Sequence, residues 1–279
     1  MEKINEMMRL GEVVLNVGHL EEMTGFYQEV IGLKVLEQNE RVVRLGVSGT
    51  NEALLVLHKI DNAVVPEVPR IGLYHTAFLL PTRESLANVL AHLIKSGYPI
   101  DGAGDHAFSE ALYLHDIEGN GIEIYADRNK QDWMRDAQGN LPMVTEEVDV
   151  DGLLQIVSEK RFTGMPAGTK IGHVHLQVAN VDEAEKFYRS ALGMNLTTAI
   201  PSARFFAAGD YHHHIGTNMW AGQNIQSLQN QEVGLAWFTI VTSNKEAITK
   251  QLEEQGYQVS RFEHTISVID SNGIMIHFK

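Results

Sequence analysis

Two histidines and one glutamate lie in strand-like segments that could bring them to one divalent metal ion. His75 and His173 each stand in the first strand-like segment of a repeated unit, and Glu123 interrupts the otherwise apolar Gly-Ile-Glu-Ile-Tyr. A lone buried carboxylate is costly unless it is paired or binds a metal, so an ion pair is the alternative role for Glu123. Two imidazoles and one carboxylate on one side of Fe(II) leave three positions for substrate and oxygen. The residue types therefore predict oxygen chemistry at a metal.

An internal repeat supplies the elements that must position these side chains. Residues 10–35 and 171–196 share an alternating strand, a short polar turn and an amphipathic helix with Phe-Tyr in its middle that stops at a glycine. A second pair of segments begins at Gly72 and Gly234, and each continues as a strand, a helix and a closing strand-turn-strand. The repeat predicts four tandem βαβββ modules, which lie at 10–58, 72–127, 171–222 and 233–279.

The modules predict an α+β fold in which they pair into two cup-shaped, barrel-like sheets. One module cannot bury its sheet alone, whereas two make a curved sheet whose concave face suits a small molecule. We expect an N-terminal domain at 1–128, a connector at 129–170 with a helix around 150–159, and a C-terminal domain at 171–279.

The choice of partner modules decides which ligands meet. If module one pairs with module two, the set would be Glu12, His75 and Glu123, and the C-terminal half would keep His173 alone. Module four offers no substitute, because tryptophan and methionine stand where His75 and Glu123 stand in module two. If modules two and three share a cup, His75, Glu123 and His173 come together. The second pairing is favoured because it uses every ligand.

The bulk composition narrows the function classes. The chain has 279 residues and no cysteine, so a metal would be held by His, Asp or Glu, which suits iron, manganese, zinc, nickel or cobalt. A formal charge of −14 argues against nucleic-acid binding, which needs clustered Lys and Arg. No apolar run is long enough for a membrane span, and the polar, acidic start does not have the character of an export signal. These features predict a cytoplasmic protein.

One continuous motif carries a family resemblance. From Gly104 the sequence runs Gly-Asp-His, five residues, Leu-Tyr, two residues, Asp-Ile-Glu-Gly, and then Asn-Gly-Ile before Glu123. This motif and the four-module plan resemble the extradiol catechol 2,3-dioxygenases of the vicinal oxygen chelate superfamily, which also includes glyoxalase I and fosfomycin-resistance proteins. Ile117 stands where that family usually has proline. The motif also lies in the second module here and in the last module of the usual two-domain members, as though the module order were permuted.

The resemblance implies roles for further residues. Glu123 would be the iron carboxylate, and His106 and Tyr113 would contact the substrate or its oxygens. The run of three histidines that ends at His214 resembles the family's strand with the acid–base histidine. That role maps to His213, with a near-neutral pKa, and His214 would be close behind; a polar edge strand is the alternative interpretation of the run.

The resemblance implies an Fe(II)-dependent oxidoreductase that takes a small aromatic diol and O2, opens the ring next to its two hydroxyls, and forms a homo-oligomer. Mn, Zn or Ni are alternative metals. A glyoxalase-like isomerase or thiol transferase with Zn or Ni is the nearest alternative function, and Glu12 with His75 and Glu123 would permit it. A non-catalytic small-molecule binding protein is the alternative from another class. The Tyr113 motif and the histidine run favour the dioxygenase.

Overall fold

The repeated modules fold into helices and strands in the predicted order. A computed structural model describes residues 8–137, 141–142, 144–263 and 265–279. Module one contains β1 (Arg9–Val17), α1 (Leu20–Phe26), a π-helical turn (Tyr27–Ile31), β2 (Lys34–Gln38), β3 (Val42–Gly46) and β4 (Ala53–Lys59). Module two contains β5 (Arg70–Leu80), α2 (Arg83–Ser96), β6 (Gly102–Asp105), β7 (Ser109–His115) and β8 (Gly121–Asp127).

The second half of the chain repeats this order after a connector. The connector has a 3-10 turn (Lys130–Asp132) and α3 (Val150–Gln155), the latter within the predicted helix. Module three contains β9 (Lys170–Gln177), α4 (Val181–Glu185), a π-helical turn (Lys186–Ala191), β10 (Asn195–Ile200), β11 (Ala203–Ala207) and β12 (Ile215–Asn218). After the short β13 (Gln226–Ser227), module four contains β14 (Gly234–Val241), α5 (Lys245–Glu254), β15 (Val259–Phe262), β16 (Thr265–Ile269) and β17 (Met275–Phe278). None of the described helices is long and apolar enough to cross a bilayer.

Strand pairing joins modules from opposite halves of the chain. The nine-stranded sheet contains β10-β11-β12-β9-β5-β8-β7-β6, so modules two and three share it through the antiparallel pair β5 and β9. The eight-stranded sheet has the order β15-β16-β17-β14-β1-β4-β3-β2 and joins modules one and four. The α+β fold of paired modules is therefore confirmed, with the pairing that unites His75, Glu123 and His173. The division into domains at 1–128 and 171–279 stays a prediction.

A repeated tyrosine–aspartate contact ties modules one to two and three to four. Tyr27 Oη donates to Asp116 Oδ2 at 2.8 Å, and Tyr188 Oη donates to Asp270 Oδ2 at 3.0 Å. Each aspartate also accepts backbone N–H groups of its own turn between the last two strands of its module. The Phe-Tyr and Asp-turn motifs of the sequence repeat therefore meet as hydrogen-bond partners in the buried interior.

Candidate metal centre

Three neighbouring strands bring the predicted ligands together. Ala77 on the central strand β5 stands opposite His173 on β9 and beside Glu123 on β8. His75 lies two residues before Ala77, and because side chains alternate along a strand it faces the same side of the sheet. Ala77, which stands between Glu123 and His173, carries only a buried methyl group.

The three ligand atoms form a compact triangle. The Nε2 atoms of His75 and His173 lie 3.0 Å and 3.1 Å from Glu123 Oε2, and 3.3 Å from each other. All three residues are buried, with 2–6% of their surface exposed. Ligand bonds of about 2.1 Å place neighbouring ligand atoms about 3.0 Å apart in an octahedral site and about 3.4 Å apart in a tetrahedral one. The triangle therefore fits three ligands of a first-row divalent ion.

The protonation states that metal binding needs are favoured by the surroundings. Burial by itself would raise the pKa of Glu123, but the adjacent imidazoles of His173 and His75 hold it well below its usual value. Burial lowers the pKa of His173 to about 4, although the Glu123 carboxylate acts in the opposite direction. An ionised carboxylate and a neutral imidazole are the forms that coordinate a cation, so Glu123 and His173 both have the protonation state that metal binding needs.

The alternative ligand set with Glu12 is wrong. Glu12 lies on β1 in the other sheet, where its carboxylate accepts a hydrogen bond from Arg44 at 3.1 Å and pairs with Lys279. In the part of the chain that the structure describes, the one group of three acidic or histidine side chains with converging ligand atoms is His75, Glu123 and His173.

A cavity of about 420 Å³ opens above the triangle. Its wall is mostly apolar and aromatic, and no lysine or arginine lines it among the described residues. At its exposed rim, Asp101 Oδ2 lies 2.5 Å from His115 Nδ1. The lining side chains include Tyr74, His75, His106, Phe108, Tyr113, Leu114, Ile122, Glu123, Leu141, Val144, His173, His175, Phe205, His212, His213 and Trp220.

His106 and Tyr113, both predicted to contact substrate, line the cavity as a hydrogen-bonded pair. The Tyr113 hydroxyl lies 2.6 Å from His106 Nε2, and His106 Nδ1 donates to the Val144 carbonyl at 2.9 Å. With Nδ1 holding a proton, neutral His106 accepts at Nε2, so the hydroxyl proton points at His106. Tyr113 can donate toward the cavity only when His106 Nε2 is also protonated.

The histidine run separates into two environments. His213 lines the cavity, with its ring centroid 4.3 Å from that of His173. It precedes strand β12 and does not lie within it, and burial lowers its pKa well below the near-neutral value expected from the sequence. His214 does not line the cavity: its Nδ1 accepts the Ala208 N–H at 3.1 Å. The structure therefore brings His213, and not His214, to the candidate ligands.

Three cavity residues were missed as site residues from the sequence. His175 lies two residues after His173 and faces the same way, so strand alternation was a signal for it. Its Nε2 lies 3.1 Å from Asn218 Nδ2, which can donate to it. Tyr74 and Trp220 contact the His175 ring at centroid distances of 5.1 Å and 5.3 Å. Tyr74 lies on β5 and Trp220 follows β12, so the pairing of both strands with β9 brings them to one cavity, and neither residue has a local signature in the sequence.

Comparisons with known proteins agree with this architecture. The family model described as Glyoxalase/Bleomycin resistance protein/Dioxygenase superfamily matches residues 9–124 and 170–266. A catechol-2,3-dioxygenase of Bacillus subtilis (strain 168) is 42% identical over 276 residues, which cover 97% of this chain and 96% of that protein. Among solved structures, one from Bacillus subtilis subsp. subtilis str. 168 has a TM-score of 0.70 at 15% identity, covering 98% of this chain and 85% of its own. Glyoxalase I from Zea mays has a TM-score of 0.56 at 17% identity, covering 97% and 92%. The two structural likenesses show the fold alone.

Proposed function

The chain belongs to the glyoxalase/bleomycin resistance protein/dioxygenase superfamily, and we propose that it is an extradiol ring-cleaving dioxygenase. It would insert O2 into a catechol-type ring next to the two hydroxyls, with Fe(II) held by His75, Glu123 and His173. The observation that carries the proposal is the buried triangle of these three side chains at a cavity that also holds His213. The identity of 42% to a catechol-2,3-dioxygenase supports the choice of chemistry.

The side chains around the triangle suggest how the reaction would be assisted. Bound Fe(II) would supply a Lewis acid that lowers the pKa of the catechol hydroxyls, together with open positions for the diol and O2. His213 is held neutral by burial and can accept a proton from a catechol hydroxyl in the cavity. His106, when protonated, lets Tyr113 donate a hydrogen bond to substrate oxygen, so this pair would stabilise negative charge that develops there.

The cavity wall favours catechols without a charged substituent. A carboxylate on the ring would find no described lysine or arginine to pair with, and it would meet the Asp101 carboxylate at the rim. Apolar substituents would instead contact Leu114, Ile122 and Phe205. We therefore expect kcat/KM for 4-methylcatechol to exceed that for 3,4-dihydroxyphenylacetate at least about tenfold, since an unpaired buried charge costs more than the 1.4 kcal/mol that a factor of ten represents. Equal values, measured by product absorbance, would contradict this preference.

The decisive experiment is reconstitution with Fe(II) followed by addition of catechol in air. The expected result is a yellow ring-fission product and uptake of one O2 per ring opened. His75→Ala and Glu123→Ala should lose both bound iron and activity, because each removes one of three protein ligands. Glu12→Gln is the matched control: it removes a buried carboxylate from the other sheet and should leave iron content intact.

Two outcomes would overturn the proposal. Fully iron-loaded protein that gives no colour and no O2 uptake with several substituted catechols is not an extradiol dioxygenase. Purified protein that contains stoichiometric Zn or Ni and no iron would favour the isomerase or thiol transferase of the same superfamily.

A further inference from the structure

We propose that Asp127 and His212 are positioning residues that hold His213 in the tautomer able to accept a proton from substrate. The expected effect of this arrangement on kcat rests on the proposed function. A chain of hydrogen bonds with one direction runs from His213 through His212 to the Asp127 carboxylate. That direction can be tested without measuring turnover.

The chain is anchored at Asp127, the last residue of β8. Its Oδ2 accepts the Tyr211 hydroxyl at 2.9 Å, and its Oδ1 lies 3.1 Å from His212 Nε2. An ionised carboxylate has no hydrogen to donate, so His212 Nε2 must carry the proton of this contact. The Tyr211 oxygen lies 2.8 Å from Tyr125 Oη and can accept its proton, so the hydroxyl donors also point toward Asp127.

The tautomer of His213 follows from that of His212. A neutral His212 with its proton on Nε2 has a lone pair on Nδ1, and this atom lies 2.8 Å from His213 Nδ1. Because only one hydrogen can lie between two nitrogens, His213 Nδ1 holds it and donates. His213 Nε2 then carries a lone pair, on the other edge of a ring that lines the cavity. This is the form of His213 that a general base needs.

The surroundings leave His212 little freedom to turn away. It is 2% exposed, and its ring centroid lies 3.9 Å from that of Tyr211 and 4.6 Å from that of Phe108. The strand that presents Glu123 to the metal site also presents Asp127, since residues four apart on a strand face the same side. One strand therefore sets both the carboxylate ligand and the orientation of the base.

An Asp127→Asn substitution can reverse the chain without changing its shape. The amide can turn its N–H2 toward His212 Nε2, which then becomes the acceptor and moves the His212 proton to Nδ1. His212 Nδ1 would donate to His213 Nδ1, and His213 would carry its proton on Nε2. In that state His213 cannot accept a proton from substrate.

The tautomer is tested directly by NMR of ¹⁵N-histidine-labelled full-length protein with diamagnetic Zn(II) in place of iron. The His213 signals are assigned by comparison with His213→Gln. The expected result is protonated Nδ1 in the unsubstituted protein and protonated Nε2 in Asp127→Asn. A His213 already protonated on Nε2 in the unsubstituted protein overturns the proposal whether or not the protein cleaves catechol.

The consequence for turnover is tested with iron-loaded protein and saturating 4-methylcatechol. Asp127→Asn and His212→Phe should each lower kcat roughly 10- to 100-fold, with KM within about twofold and iron content unchanged. The double variant should be no slower than His212→Phe, because both changes break one chain. Tyr211→Phe removes the other hydrogen bond to Asp127 and should lower kcat less than either.

The outcomes separate the two proposals. The positioning role alone would be rejected if the unsubstituted protein cleaves catechol and both single variants keep its kcat. It would also be rejected if the effects of the two substitutions add in the double variant. No cleavage by the unsubstituted, iron-loaded protein would reject the proposed function, and the NMR result would still decide the tautomer.

Discussion

Gly172 lies beside the proposed ligand His173, and adding one methyl group there should disturb the candidate metal centre. A Cβ at Gly172 would lie 1.9 Å from Tyr125 Oη and 2.8 Å from Leu79 Cβ. Ordinary contact needs about 3.5 Å, so either Tyr125 or strand β9 must move by about 1.5 Å. Tyr125 is buried and hydrogen-bonded to Tyr211, so strand β9 has to share the displacement, which should shift His173 relative to Glu123.

Overpacking of this kind costs roughly 1–3 kcal/mol, which corresponds to a fall of about 3–10 °C in Tm for a chain of this size. Iron affinity of Gly172→Ala, measured by competition with a chelator, should fall at least about tenfold, as it does when the support of a ligand is lost. Gly25→Ala is the matched control: nothing lies within 4 Å of its added Cβ, and alanine favours the helix α1. Tyr125→Phe in the Gly172→Ala background should recover part of the loss, because it removes the nearest atom. Unchanged Tm and iron affinity in Gly172→Ala would refute this account of how β9 positions His173.

Three further predictions concern stability. Tyr27→Phe should lower the free energy of unfolding in urea by about 1–3 kcal/mol, since it removes one of the two side-chain donors to the buried Asp116 Oδ2. Tyr188→Phe should cost a similar amount, because its hydroxyl makes the equivalent bond to Asp270; a loss confined to one of the two would show that the contacts are not equivalent. Burial lowers the pKa of His214 from 6.5 to about 3. Between these pH values the unfolded chain binds a proton at His214 that the folded protein does not, so stability should fall as pH drops from about 6.5 toward 3. His214→Gln should reduce that decline by up to about 3 kcal/mol between pH 7 and 4.5 in urea unfolding, and an unchanged slope would contradict the assignment.

The candidate ligands were predictable because their signals are local. The signals are strand alternation, glycine-terminated helices and the motif before Glu123, and each involves residues close together in the chain. Such local patterns indicate which elements form and which side of a strand each residue faces. The same alternation could have added His175, which shares a face with His173. Local pattern also placed the histidine run on a strand, whereas His213 lies in the turn before β12. The direction of the chain in that turn depends on the packing of β11 against β12.

Glu12 and Glu123 illustrate what local pattern cannot distinguish. Each is a buried carboxylate on a strand, and the sequence allowed both of them in one metal site with His75. The difference comes from distant partners: Glu12 is neutralised by Arg44 and Lys279, whereas Glu123 meets two imidazoles. A carboxylate buried in either way satisfies the same electrostatic requirement, so burial alone cannot identify a ligand.

The amino-acid pattern alone was enough to predict the four modules, the residue types of the candidate metal ligands and the strand face on which each lies. Side-chain direction follows from a period of two residues, so it can be read from local pattern. Three features became visible in the folded chain. Strand β5 pairs with β9 and so unites modules two and three, His213 and not His214 lines the cavity, and Asp127 reaches His212. These contacts join groups far apart in the chain: 98 residues separate His75 from His173, and 85 separate Asp127 from His212. Their meeting is set by the burial of both sheets and leaves no trace in the pattern of either segment.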